Sequence, residues 1–217
     1  MPINLSIALK IIKLLNSSIS HFILASLFIV SISTKAQVVN VGGVIENDRI
    51  FYEDTTYVVV QNLIIPKNKS LTIRPGTVVK INFGRNIIVD NGSLYAIGDQ
   101  EDSVYFLSNY TEPGQIWKWN GLQIKNSDYE NPSILQYLKV VNAETAIMIE
   151  NSINVQVENT SITGSQNVGI NITNSSFCYI VNCTIKNNYN GIEIYTGDGG
   201  LTANNIVTNS FLKNENH

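Results

Sequence analysis

From Gln37 onward, apolar residues come in short runs in which every second position is aliphatic. Ile147 and Ile149, Val155 and Val157, Ile170 and Ile172, and Ile192 and Ile194 are each separated by one residue. Period-two alternation built on β-branched side chains predicts half-buried strands, because successive side chains of a strand leave on opposite faces. Asn, Ser, Gly and Thr fill the gaps, and these residues accept tight turns and left-handed backbone. No segment from Gln37 to His217 carries the 3.6-residue spacing of an amphipathic helix.

The runs repeat. Ala146-Ile147-Met148-Ile149, Gly169-Ile170-Asn171-Ile172 and Gly191-Ile192-Glu193-Ile194 follow one another at steps of 23 and 22 residues, and Gly121-Leu122-Gln123-Ile124 lies 25 residues upstream. Asn159-Thr160-Ser161-Ile162 recurs as Asn182-Cys183-Thr184-Ile185 on the same step. A period in the low twenties predicts a solenoid, one short supersecondary unit stacked on copies of itself. The leucine frame of a leucine-rich repeat is missing, so each unit is read as one coil of a parallel β-helix. Two inward rows are expected, Leu122, Ile147, Ile170, Ile192 and Ile124, Ile149, Ile172, Ile194. Gln123, Met148, Asn171 and Glu193 then form one outward row, and Lys125, Glu150, Thr173 and Tyr195 the next. Asn159, Asn182 and Asn204 are expected to stack as an inward asparagine ladder at a turn. Residues 108–120 are read as a protruding polar loop. Roughly six coils at about 4.8 Å each give a stack of roughly 30 Å.

The run Leu71-Thr72-Ile73-Arg74-Pro75-Gly76-Thr77-Val78-Val79 resembles the first coil of secreted bacterial right-handed parallel β-helix proteins. Gly92-Ser93-Leu94-Tyr95-Ala96-Ile97-Gly98 and Trp119-Asn120-Gly121-Leu122-Gln123-Ile124 carry the same resemblance, which spans about residues 57–210. It implies an all-β fold, a right-handed parallel β-helix of the pectin-lyase-like kind, of a type abundant in exported proteins of Bacteroidetes. Polysaccharide lyases, glycoside hydrolases, adhesins and proteins without activity share that fold, so it specifies no reaction.

Residues 1–36 read as a signal peptide. Lys10 and Lys13 precede an apolar stretch, Phe22–Ile32, and Ser33-Thr34-Lys35-Ala36 offers a small-residue cleavage site before Gln37. The apolar stretch is short for a membrane span, which needs about 20 residues. Residues 37–217 then form one β-helix domain of a secreted or cell-surface protein. The end at Asn209-Ser210-Phe211-Leu212-Lys213 resembles one more strand with no cap after it. It fits the N-terminal part of a longer solenoid, or closing residues that fold over the last coil.

Cleavage removes three lysines and leaves 11 basic against 17 acidic residues, a net charge of −6. Such a chain is a poor partner for nucleic acid, whose phosphates must be neutralised, and for anionic lipid. The two histidines are His21 and His217, so the domain has no material for a histidine triad or a histidine-ligated zinc. Cys178 and Cys183 fall on the Val155 and Thr160 rows, and separate rows argue against a disulfide between them.

Glycosidases need two carboxyls about 5–9.5 Å apart. Register puts Glu150 and Glu193 about 11–12 Å apart. Lyases that the resemblance brings in hold calcium with clustered Asp and use a nearby Arg or Lys, whereas Arg49, Arg74 and Arg85 all lie in the first coils. Asp198 and the group Asp99, Glu101, Asp102 are read as turn residues. No catalytic residue, metal or cofactor is expected. Flat aromatic faces can stack on sugar rings. Trp117, in the polar excursion, Trp119 and Tyr195, on its outward row, are therefore the candidate ligand-binding residues; Trp119, just before the strand Leu122–Ile124, is also read as packing on the coil, which makes Trp117 the better of the two. The leading expectation is a non-catalytic structural and binding module with glycan as ligand. The alternative is a carbohydrate-active enzyme, divergent or lacking its catalytic coils.

Overall fold

The computed structural model describes residues 37–112, 115–116, 118–195, 205–207 and 210–212, with side chains from 37–110 and 118–195. The expected signal peptide, Trp117, Asp198 and Asn204 lie outside the described residues. All described elements belong to the unit Ala36–His217.

Every element among the described residues is a strand, and apart from one small hairpin every pairing is parallel. Three strands make a coil, and each strand pairs with its counterparts one coil away. The first face stacks part of Thr55–Ile65 with Val78–Ile81, Val104–Ser108, Leu138–Val141, Ser161–Thr163 and Thr184–Lys186. The second stacks the rest of Thr55–Ile65 with Asn86–Asp90, Gly121–Lys125, Ile147–Glu150, Val168–Thr173 and Asn190–Tyr195. The third begins at Arg49–Phe51 and continues through Ser70–Ile73, Ser93–Ile97, Ser133–Gln136, Val155–Glu158, Tyr179–Val181 and Asn205–Val207. About six coils result. The eleven-residue strand Thr55–Ile65 runs round the first corner without a break, which joins the first two faces into one large sheet.

The core is the inward row of each face. Leu122, Ile147 and Ile170 stack in register, as do Ile124, Ile149 and Ile172, and all six are fully buried. Each such side chain gains about 1.5–3 kcal/mol on burial. Ile194 continues the register of its row but keeps 40% of its surface exposed.

Corners explain the glycine of the repeated phrase. A Cβ at Gly121, whose φ is 134°, would meet the Thr145 carbonyl oxygen at 1.8 Å, and one at Gly169 would meet the Gly191 carbonyl oxygen at 2.6 Å. Glycine stands at these two places because the backbone of the next coil leaves no room for a Cβ.

The asparagine ladder is corrected. Asn159 and Asn182 do occupy adjacent coils in register, but with φ of 49° and 53° they are left-handed corner residues, half-buried and exposed respectively. The same conformation recurs at Asn91, Asn126, Asn151 and Asn174, one above another at the corner after the second face. Asparagine is favoured there because it tolerates the left-handed region, not because its amide stacks inward. The buried polar ladder is made of serine: Ser152 Oγ accepts the Ser127 N–H at 3.1 Å, and Ser175 Oγ accepts the Ser152 N–H at 3.0 Å.

The excursion is shorter than expected. Ser108 ends a strand, Trp119 bridges to Ala143, and Thr111–Glu112 pairs antiparallel with Gln115–Ile116.

Candidate functional site

Trp119 does not face solvent. Its ring is fully buried, packs edge-on against Phe106 with centroids 6.3 Å apart, and donates Nε1–H to the Val141 carbonyl at 3.1 Å. The β-bridge to Ala143 pulls the residue into the coil, so it fills the corner that the excursion leaves. A buried indole with its donor satisfied is a packing residue, and the expectation of a ligand contact at Trp119 is withdrawn.

Tyr195 lies on the outward row as read and keeps 55% of its surface exposed. Its hydroxyl donates to Glu193 Oε2 at 3.2 Å. Glu193 also accepts from Asn171 Nδ2 at 3.3 Å and from Asn190 Nδ2. The Glu193 carboxylate accepts the phenol proton and repels the phenolate, which raises the Tyr195 pKa. The result is a small polar network beside one exposed ring. Glu150 and Glu193 take the outward positions assigned by register, in adjacent rows two coils apart.

A second constellation, not singled out from the sequence, occupies the corner between the third face and the first in the opening coils. Strand Arg49–Phe51 turns inward at Phe51, which is fully buried. The turn Tyr52-Glu53-Asp54 follows, closed by the Thr55 N–H donating to the Tyr52 carbonyl at 3.3 Å. One coil on, Arg74-Pro75-Gly76 makes the corresponding turn, with Gly76 at a φ of 76°. Backbone bonds tie these turns together: Arg74 N–H to the Phe51 carbonyl at 3.1 Å, and Gly76 N–H to the Asp102 carbonyl at 3.3 Å. In the third turn Asp99 Oδ1 accepts the backbone N–H groups of Glu101 at 2.9 Å and Asp102 at 2.7 Å. That is a side-chain-closed turn, the role the sequence assigns to Asp99.

Stacked turns bring aromatic and charged groups together. Phe51 and Tyr57 lie face to face, with centroids 3.8 Å apart and planes 6° from parallel. The Tyr57 hydroxyl accepts the Tyr52 N–H at 3.0 Å, which fixes the turn to the stack. Arg49 lies over the Phe51 ring at 5.4 Å and Arg74 over the Tyr52 ring at 5.3 Å. These separations are within the range of cation–π attraction. Tyr52 still exposes 45% of its surface.

Two clefts open here. One, about 490 Å³, is lined by Arg49, Tyr52, Glu53, Asp54 and Thr55 among others. The other, about 420 Å³, is lined by Glu53, Arg74, Pro75, Gly76 and Asp102, so Glu53 belongs to both. A Cβ at Gly76 would stand 3.4 Å from Glu53 Cβ and 3.8 Å from Asp102 Cβ, so the missing side chain leaves the floor between the two carboxylates open. Among the described residues no group of three or more His, Cys, Asp or Glu side chains is placed to hold a metal ion.

Sequence reasoning missed this site because its residues come from coils too irregular to show the repeat. The available signal was Arg74-Pro75-Gly76, a turn with a charged first residue, one coil after Tyr52-Glu53-Asp54.

No curated protein and no solved structure matches the chain. The family described as right handed beta helix region matches residues 50–216, which takes in the strands from Thr55–Ile65 onward and most of the cleft. Together with parallel faces stacked once per coil, that match shows that the chain belongs to the right-handed β-helix family.

Proposed function

We propose that this protein is an exported, non-catalytic β-helix module that binds glycan at its surface. The leader-like residues 1–36 support export to the periphery of the cell or beyond it. One observation supports glycan above other ligands: Tyr52, 45% exposed, stands in a cleft whose remaining polar lining mixes guanidinium, carboxylate, hydroxyl and amide groups. A sugar presents an apolar C–H face for the ring and hydroxyls that both donate and accept. The cleft is shallow and open, which suits a segment of a chain that continues beyond it. Tyr195, with the Glu193 network beside it, is a second contact point of the same chemistry, and Trp117 remains a third candidate in the excursion.

A glycan array probed with wild type, Tyr52→Ala, Tyr195→Ala and Trp117→Ala tests the proposal. Retention of a defined glycan set by wild type, with loss in Tyr52→Ala, is the expected result. Absence of any retained glycan removes the proposal, and loss only in Trp117→Ala or Tyr195→Ala moves the site.

A further inference from the structure

We infer that the cleft selects uncharged glycan over acidic polysaccharide, and that Glu53 is the residue that enforces the selection. The inference rests on the glycan proposal above and adds the chemical class of the ligand.

Its first support is the balance of charge. Glu53, Asp54 and Asp102 stand against Arg49 and Arg74 in the two clefts. Asp99 and Glu101 add two more exposed carboxylates in the third turn. Each cleft holds one guanidinium, lying over an aromatic ring at 5.4 or 5.3 Å, against two carboxylates: Arg49 against Glu53 and Asp54 in one, Arg74 against Glu53 and Asp102 in the other. A sugar carboxylate entering either cleft therefore meets a field of its own sign. Like charges brought together at a binding surface act against the wrong partner more than they help the right one.

The second support is position. Glu53 lines both clefts, so a ligand long enough to fill them passes over its carboxylate. The turns at 52–54, 74–76 and 99–102 lie one coil apart, about 4.8 Å each. That rise is close to the length of one pyranose unit in an extended chain. A neutral chain can lay a hydroxyl pair on Glu53 in one cleft, a ring against Tyr52, and further hydroxyls on Arg74 and Asp102 over the open floor at Gly76. Carboxylate acceptors form charge-assisted bonds with hydroxyl donors, and a neutral sugar supplies many of these without opposing charge.

Calorimetric titration settles the question, with neutral probes (xylohexaose, mannohexaose and cellohexaose) and an acidic one (hexagalacturonate). At least one neutral probe is expected to bind, with hexagalacturonate about tenfold weaker or worse at low salt. Glu53→Gln keeps an acceptor but removes the charge. It is expected to weaken the neutral ligand about tenfold and to narrow the gap to hexagalacturonate. Glu53 is an exposed turn residue, and circular dichroism verifies that the variant folds. Hexagalacturonate binding as tightly as the best neutral probe overturns the selectivity while leaving glycan binding intact. An unchanged neutral affinity in Glu53→Gln overturns the role of the cleft. No binding by any of the four probes overturns this inference, and the glycan array then decides whether the broader proposal survives.

Discussion

At the scale of single residues, the corners of the coil are where chemistry and conformation meet. Among the described residues ten asparagines take positive φ, and only Tyr137 and Phe177 of the other non-glycine residues do so. Phe177, at φ 54° and 44% exposed, holds a bulky side chain in a conformation it disfavours. Phe177→Asn is expected to stabilise the fold by about 1 kcal/mol, measured by denaturant unfolding. Gly121→Ala runs the other way. The Thr145 carbonyl oxygen lies 1.8 Å from the new Cβ, and backbone must move, so a loss of about 3 kcal/mol or more is expected in the same assay.

The two cysteines give a pH-dependent prediction. Both are buried, neither forms a disulfide, and burial pushes each thiol from its ordinary 9.0 up to about 11. The folded state therefore holds the neutral form longer than the unfolded chain does. Their contribution to stability is complete below about pH 9 and is lost as pH rises toward 11. Iodoacetamide at pH 8 is expected to leave both thiols unmodified until denaturant is added. Modification of the native protein at the unfolded rate would contradict the burial.

Strands and corners together, at the scale of elements, show what the sequence made legible. The outward row Gln123, Met148, Asn171, Glu193 and its neighbour ending in Tyr195 were readable because spacing alone sets register in a stacked fold. Spacing does not say which side of a corner points inward. Asn159 and Asn182 recur as regularly as Ile149 and Ile172, yet only the isoleucines are inside. The buried serine ladder was hidden for the same reason, since serine is also a common residue of exposed turns. Trp119 packs on the coil, as its place just before the strand Leu122–Ile124 implied, and only its ligand role is lost. The Tyr52 cleft depends on three turns that share no motif, and only the fold brings them together. One consequence belongs to the ladder. Ser152→Ala removes the acceptor of the Ser127 N–H and a donor to the Glu150 carbonyl, both within a buried corner. A loss of about 1–3 kcal/mol in unfolding free energy is expected.

For the coiled unit as a whole, function follows from a division of labour. Aliphatic rows hold coils together, which leaves outward positions free to vary without loss of the fold. That freedom explains why a family match fixes architecture and leaves activity open. The acidic balance of the cleft is a property of that surface and not of the stack.

The register is the claim on which the cleft, the rows and the ladder all depend. It is tested by disulfide trapping in a background with Cys178 and Cys183 replaced by Ala. Lys139 and Ser161 face each other on adjacent coils of the first face, whereas Lys139 and Thr163 are offset by two residues along the strand. Neighbouring strands lie about 4.8 Å apart, within the span of a disulfide, and the offset pair exceeds its reach of roughly 7 Å. Lys139→Cys with Ser161→Cys is predicted to close fully under mild oxidation, and Lys139→Cys with Thr163→Cys to stay reduced. Equal closure of both pairs, or closure of the offset pair alone, would contradict the stacking of coils described here.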